Sequence, residues 1–342
     1  MRKFNKKILN VSVIGMGIGE KHVQIYLENI YCNLVSICEF DIQKLKKLKN
    51  KYPEVKIYDN SQHIFNDPNI DLVSIASYDN YHSEQVIAAI KNNKHVMIEK
   101  PLCLNENEFK RIHRTHIANK RINMSSNFVL RSNDRFKKIK KEIHSNDFGD
   151  ILFIDCDYLW GRKEKLFGWR ADMDFYSIIL GAAIHMIDLV MWMMQSKPKT
   201  VYAAGNKIGM EGSNINNNCF AILILKFNNG VIAKITGNGS CVHPHFHGIK
   251  IFGSKQTAIH DLDDAYFLNK SQSGFKRKMI IEPYPQKETR KEIINSFVDS
   301  IVNSQLNALV TQQDVYNVMS VGLAAEKSIK TQKEINIDYL QL

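Results

Sequence analysis

The sequence predicts an α/β chain: a doubly wound parallel sheet first, then an α+β domain built on a large, open, mostly antiparallel sheet. Three observations predict it. Short apolar runs alternate with helical stretches up to about residue 124, the rhythm of βαβ units. A glycine turn, Gly15-Met16-Gly17-Ile18-Gly19, follows the first run at once. Beyond residue 125 β-rich runs predominate, and Asn228-Asn229-Gly230 between two of them marks a hairpin. The chain has 342 residues, 44% hydrophobic and 24% charged, which suits two ordinary globular domains. We divide it at 1–124 and 125–342, with the final helices free to pack back on the first domain.

Residues 11–14 form a β-rich run before the glycine turn. Gly15 permits the tight turn, and Gly17 lets a pyrophosphate approach the backbone at a helix N-terminus, beside Ile18. The third glycine, Gly19, arrives one residue earlier than in G-x-G-x-x-G, and Glu20 takes the expected place. The next strand, 34–38, ends in Glu39, roughly 20 residues past the turn, where a carboxylate bonds an adenosine ribose and repels a 2′-phosphate. The expected cofactor is therefore NAD rather than NADP. Asp41 reads as the N-cap of a helix over 42–51. Residues 71–77 are a buried strand whose C-terminal turn carries Ser77, Asp79 and His82, read as cofactor contacts. A helix follows through residue 90.

The run His95-Val96-Met97-Ile98 suits a strand buried on both faces. Glu99-Lys100-Pro101 falls at its end, and Pro101 cannot continue the ladder. Ligands of open α/β sheets bind beyond the C-terminal strand ends, so Lys100 is placed to meet a substrate and Glu99 the cofactor. A helix over 105–119 and a strand over 122–128 complete the domain, with Asn127 and Arg131 as pocket candidates.

The second domain opens with a helix over 133–143 and a strand over 151–160. Residues 177–194 look membrane-like, but His185 and Asp188 interrupt them, and a mid-bilayer charge costs about 3 kcal/mol. We expect a buried helix of a soluble domain. Strands follow at 200–208, 219–227, 231–237 and 249–252, then helices at 288–303 and from Thr311.

A net charge of +11 is spread along the chain, with short clusters at Arg2-Lys3 with Lys6-Lys7, at 137–141 and at 276–278. No basic stripe or reader motif accompanies them, so nucleic acid is not an expected partner. A bias toward anionic small ligands remains open. Six cysteines without C-x-x-C or metal spacing imply a reducing cytoplasm. The basic N-terminus before an apolar run imitates a signal peptide, but glycines and a charged helix start interrupt it. His243, His245 and His247 alternate along one segment. They suit a polar pocket wall, a solvated loop or part of a metal site; a metal needs three or four converging ligands, and we expect none. Tyr158, Arg162, Trp169 and Arg170 precede the buried helix. Trp169 can stack on a sugar or on the cofactor, and the arginines can grip a carboxylate or phosphate.

In order and content, the glycine turn with His22, Glu39, the 75–82 segment, Glu99-Lys100-Pro101 and His185-Met186-Ile187-Asp188 resemble the glucose–fructose oxidoreductase / inositol dehydrogenase (Gfo/Idh/MocA) family over essentially the whole chain. The resemblance implies a Rossmann domain, a C-terminal domain with a large open sheet, and a nicotinamide between them. It implies hydride transfer at a carbon bearing a hydroxyl or ketone of a sugar, cyclitol or nucleotide-activated sugar. Lys100 and His185 match its catalytic lysine and histidine. The aspartate that the family commonly carries four residues before the histidine is Gly181 here. Asp188, one turn on, is the substitute we assign; Asp172, Asp174 and Tyr176 are alternatives, Tyr176 also as a substrate contact. A homo-oligomer, dimer or tetramer, is implied through the outer face of the second sheet, for which 221–225 supplies an apolar run. The rival readings are a silent dinucleotide or sugar sensor, and NAD-dependent glycosidic cleavage on the same fold.

Overall fold

A computed structural model describes residues 8–210 and 217–342; the cluster Arg2-Lys3 with Lys6-Lys7 lies outside the described residues. The chain divides into two compact units, one of residues 1–128, 288–315 and 341–342, the other of 129–287 and 316–340.

The first unit alternates strands and helices: β1 (Leu9–Ile14), α1 (Gly19–Glu28), β2 (Cys32–Cys38), α2 (Ile42–Lys51), β3 (Lys56–Tyr58), α3 (Gln62–Asn66), β4 (Leu72–Ile75), α4 (His82–Lys91), β5 (His95–Ile98), α5 (Glu106–Ile117) and β6 (Met124–Ser126). The sheet order is β3-β2-β1-β4-β5-β6, and every pair is parallel. Val11, Val13, Leu72, Val73, Ile75, Val96, Met97 and Ile98 have no exposed surface, as strands covered on both faces require. The order reverses between β1 and β4, so the crevice for a ligand opens beyond their C-terminal ends. Asp41 caps α2 by accepting from Gln43 N and Lys44 N, as expected. By contrast α1 begins at Gly19 with no side-chain cap, which leaves its N-terminal amides for another acceptor.

The second unit holds α6 (Asp134–His144), β7 (Ile151–Leu159), a π-helical turn at Ile179–Ala183 and α7 (Ile184–Met194). There follow β8 (Pro198–Asn206), β9 (Phe220–Phe227), β10 (Ile232–Asn238), β11 (Phe246–Gly253), β12 (Gln256–His260), β13 (Ala265–Ser271) and β14 (Gly274–Met279). Then come α8 (Thr289–Val302), which lies in the first unit, α9 (Gln312–Thr331) and β15 (Ile335–Asn336). The nine strands run in the order β14-β13-β12-β11-β7-β10-β9-β8-β15, antiparallel except for the parallel pair β7–β10. The buried-helix expectation holds: Ile184, Met186, Ile187, Leu189 and Val190 have no exposed surface. Among the described residues no helix is long and apolar enough to cross a membrane. At Gly237 of β10 a Cβ would meet the Ala183 Cβ at 3.0 Å, so this glycine lets the π-turn lie directly on the sheet.

Strands β12 to β14 were not expected. The last of them, Gly-Phe-Lys-Arg-Lys-Met, is exposed throughout and has no apolar period to read. It is held by pairing with β13 at the sheet edge, where the 276–278 basic cluster discourages a further strand from adding.

Candidate functional site

Each unit carries its own set of candidates. In the first, the glycine turn lies where β1 gives way to α1. Gly15 has φ +85°, and a Cβ there would stand 2.6 Å from Ala76 O and from Ser77 N, so only glycine fits. Gly17 is exposed, and nothing lies within 4 Å of a Cβ built on it. Ile18 sits at the uncapped N-terminus of α1. A Cβ on Gly19 would meet Val13 Cγ1 at 3.1 Å and Ala76 Cβ at 3.2 Å. The early third glycine thus still serves close helix–strand packing. Glu20, in the expected glycine position, pairs instead with Lys51.

Glu39 is 3% exposed and accepts from Met16 N at 2.9 Å and Asp41 N at 3.1 Å. The strand-end acid is therefore held against the glycine turn. Beside it Phe40, 57% exposed, meets the Tyr78 ring edge-on at 5.6 Å. These residues fit NAD: an open glycine at an uncapped helix start for a pyrophosphate, and a fixed carboxylate for a ribose.

The C-terminal end of β5 is organised around Glu99. Its Oε1 accepts from Asn127 Nδ2 at 2.6 Å and from His22 Nε2 at 3.2 Å, with Arg290 Nε 3.7 Å away. His22 Nδ1 lies 2.8 Å from Ser74 Oγ. Burial opposes the charge on Glu99. The His22 hydrogen bond and the Arg290, His22 and Lys100 charges outweigh it and hold the carboxyl well below the usual range. Glu99 therefore stays ionised beside Lys100, which is half-buried at the strand end. Asn127 Oδ1 is buried with no hydrogen-bond partner among the described residues, an acceptor available to a bound ligand.

Two of the predicted cofactor contacts, His82 and Ser77, have partners within the protein. His82 is fully buried; its Nδ1 donates to Pro101 O at 2.6 Å, and Nε2 lies 3.1 Å from Ser77 O, so the ring ties the ends of β4 and β5 together. Ser77 Oγ donates to Gln85 Oε1 at 2.6 Å. Asp79 begins a short 3-10 turn and is 9% exposed.

In the second unit His185 is the second residue of α7 and is 7% exposed. Its ring lies nearly parallel to Tyr158 of β7 at 5.9 Å, and His247 of β11 lies 6.4 Å away. The three alternating histidines divide. Nδ1 of His243 faces Pro244 O at 2.7 Å. His245 and His247 cluster with Tyr158, and His247 bonds the Tyr284 hydroxyl. Burial, aided by the Arg162 charge, lowers His245 to about 4. Burial with the neighbouring histidines lowers His247 well below the ordinary value. Both are neutral near pH 7, offering one donor and one acceptor each. Tyr158 is pushed up to about 12 by burial.

Asp188 requires a correction. Its carboxylate accepts from Arg131 Nε at 3.0 Å through each oxygen and from Arg131 Nη2 at 2.7 Å, with side chains 1% and 4% exposed. A carboxylate clamped this way anchors α7, and we withdraw it as the acid–base partner of His185. Asp172 and Asp174 are exposed. Arg170 lies over Trp169 at 4.2 Å, Trp160 at 5.1 Å and Tyr176 at 5.7 Å, so its guanidinium is stacked among three aromatic rings. Arg162 is half-buried just before the 3-10 turn Lys163–Leu166. Tyr176 is 2% exposed.

Sequence reasoning missed Arg290, Ser74, Tyr284 and the Arg131–Asp188 pair. The one local signal was Ser74, a polar residue inside an apolar strand.

Comparison with known proteins agrees with this geometry. Residues 9–127 match the model of an oxidoreductase family with an NAD-binding Rossmann fold, and 136–259 match the GFO/IDH/MocA C-terminal domain. The chain is 26% identical to the myo-inositol 2-dehydrogenase of Thermotoga maritima, over 96% of this chain and 99% of that protein. It is similar in fold to the myo-inositol 2-dehydrogenase of Lactobacillus plantarum, with TM-score 0.82 and 23% identity over 97% and 100% of the two chains. It is also similar to the scyllo-inositol dehydrogenase of Lactobacillus casei with bound NAD(H) and scyllo-inositol, with TM-score 0.78 and 17% identity over 96% and 99%. The glycine turn, the strand-end acids and the two matched domains lead to one conclusion: the chain belongs to the GFO/IDH/MocA family of NAD-binding oxidoreductases.

Proposed function

We propose that the protein transfers hydride between NAD and a secondary alcohol or ketone carbon of a sugar or cyclitol. The observation that carries this reading is the ionised Glu99, held by His22, Asn127 and Arg290 next to Lys100 at the end of β5. NAD supplies the hydride acceptor in the oxidative direction. The remaining chemistry is proton handling. Oxidising a secondary alcohol releases the hydroxyl proton as hydride leaves, and a base near neutral pKa takes it best. We assign that role to His185. Lys100 polarises the substrate oxygen, and its ammonium stabilises a developing alkoxide. Glu99 keeps the lysine charged and aimed. In the reductive direction the same groups return the proton.

Gly15, Gly17, Ile18, Gly19 and Glu39 are assigned to the dinucleotide, with Ser77, Asp79, His82 and Trp169 as secondary candidates. Asn127, Arg162, Arg170 and Tyr176 are the substrate-side candidates. The fixed carboxylate of Glu39 favours NAD over NADP. A cytoplasmic homo-oligomer accompanies the reading. Its support is six free cysteines and an outer sheet face that includes Tyr202, 43% exposed, and Ile232, 39% exposed.

The test has two parts. Energy transfer from tryptophan to bound NADH and NADPH reads cofactor choice, with tight NADH and weak NADPH binding expected. NADH formation on a panel of inositols and hexoses reads activity. Lys100→Ala should abolish turnover and leave NADH binding largely intact; persistent turnover in that variant would sink the assignment.

A further inference from the structure

The geometry points to a seat for the nicotinamide carboxamide at the end of β5: we propose that the amide NH2 donates to Asn127 Oδ1 and that the amide oxygen accepts from the Arg290 guanidinium. The proposal rests on the reading of NAD as the cofactor, and adds to it the contacts that hold the reacting ring. Both residues belong to the first unit. Asn127 directly follows β6, where its N–H donates to Ile98 O at 3.1 Å, and Arg290 is the second residue of α8.

Two buried polar atoms without a hydrogen-bond partner among the described residues meet at Glu99: the acceptor Asn127 Oδ1 and the donor Arg290 Nε. Asn127 Nδ2 donates to Glu99 Oε1 at 2.6 Å, and Arg290 Nε stands 3.7 Å from the same oxygen, so the amide and the guanidinium are near neighbours. The amide can point only one way. An ionised carboxylate only accepts, so Nδ2 must face Glu99 and Oδ1 must face away from it. Arg290 stands off for a matching reason. Oε1 already accepts from Asn127 and from His22 Nε2 at 3.2 Å, which takes up its two lone pairs. A cation in the first turn of a helix also opposes the macrodipole, so the place of Arg290 in α8 has no local stabilising reason. Its side chain keeps 23% of its surface exposed, open to a ligand.

This pair asks for a neutral group with one donor and one acceptor side by side. A carboxylate or phosphate fails on both counts: it would set lone pairs against Asn127 Oδ1 and a second negative charge beside Glu99. A carboxamide meets both demands, and the sheet order brings one here. Glu39 at the end of β2 takes the adenosine ribose, and the glycine turn at the end of β1 takes the pyrophosphate. A cofactor laid along β3-β2-β1-β4-β5-β6 therefore carries its nicotinamide on toward β4, β5 and β6. Glu99 directly follows β5, as Asn127 follows β6. Holding the carboxamide fixes the rotation of the ring about its bond to the ribose, and so which face gives or takes the hydride. Two hydroxyls of a polyol offer the same donor and acceptor, and the test separates the two sources.

The test is calorimetric titration of the full-length protein with NADH, its reduced acetylpyridine analogue and ADP-ribose. The analogue carries a methyl in place of the amide NH2; ADP-ribose lacks the ring and keeps the rest. Wild type should bind NADH about three- to tenfold more tightly than the analogue, the worth of one hydrogen bond. In Asn127→Ala the two should bind alike. Arg290→Met keeps the apolar stem and removes the donors, and should weaken NADH about tenfold or more. Neither variant should change ADP-ribose binding. ADP-ribose weakened as much as NADH would assign the residues to the fold alone and overturn the proposal, as would a wild type that binds NADH and the analogue equally. Unchanged NADH binding in Arg290→Met overturns it too, and a raised KM for inositol in that variant then gives the guanidinium to the polyol. If wild type binds neither NADH nor ADP-ribose, the cofactor reading fails and the proposal with it.

Discussion

Removing the carboxylate of Asp188 tests whether it anchors α7. The Arg131–Asp188 pair is almost completely desolvated, and three contacts of 2.7 to 3.0 Å join its two groups. Asp188→Ala would leave the guanidinium buried without its counter-charge. Losing one partner of such a pair costs about 3–5 kcal/mol. The unit concerned spans 129–287 and 316–340, a size at which 1 kcal/mol moves Tm by about 2–4 °C. A fall of about 6–20 °C is therefore expected for Asp188→Ala. Replacing both partners, as in Arg131→Met with Asp188→Leu, removes both buried charges and fills most of the volume, and should recover most of that loss. The assay is thermal and urea denaturation of wild type, both single variants and the double. Turnover of the double variant then reads any chemical role of Asp188 apart from the folding defect. A single variant as stable as wild type, or a double variant less stable than either single, would refute the anchoring argument.

Two further predictions follow from the first unit. Gly15→Ala forces a β-carbon to 2.6 Å from Ala76 O at a positive φ, and should cost about 1–3 kcal/mol in stability together with most NADH binding, read by urea midpoint and tryptophan energy transfer. Glu99 sits below its unfolded carboxyl value of ~4.3, so its contribution is fully present above that pH and is lost as pH falls toward the lower folded value. Glu99→Gln should therefore be less stable than wild type by about 2 kcal/mol near neutrality, with the gap closing in acid; urea midpoints across pH that show a constant gap would contradict this.

What could be read from the sequence was whatever is local. The glycine turn, Glu39 and Glu99-Lys100-Pro101 each lie at the end of a strand that the apolar pattern marks, so position along the strand gave position in the fold. Even the displaced third glycine was visible, though not that Gly19 would do the packing from one residue early. Contacts between distant segments were not legible. Arg290 reaches Glu99 from α8, and nothing in its neighbourhood distinguishes it from other surface arginines. Arg131 and Asp188 were each singled out as site residues, but a sequence does not show that two such residues satisfy one another. The missed strands β13 and β14 fail for a related reason: partly or wholly exposed, they owe their form to pairing rather than to an apolar face.

Gly181 is the instructive middle case. A glycine inside a helical run costs about 1 kcal/mol relative to alanine. In the apolar stretch 177–194 alanine would otherwise be the cheaper choice, and two alanines follow it directly. The glycine was therefore a signal that something approaches the backbone closely there. Read only as a missing carboxylate, it pointed downstream to Asp188, which the fold gives to Arg131. Read as a space requirement, it points upstream to the phenol of Tyr176, which fills the position a side chain at 181 would take.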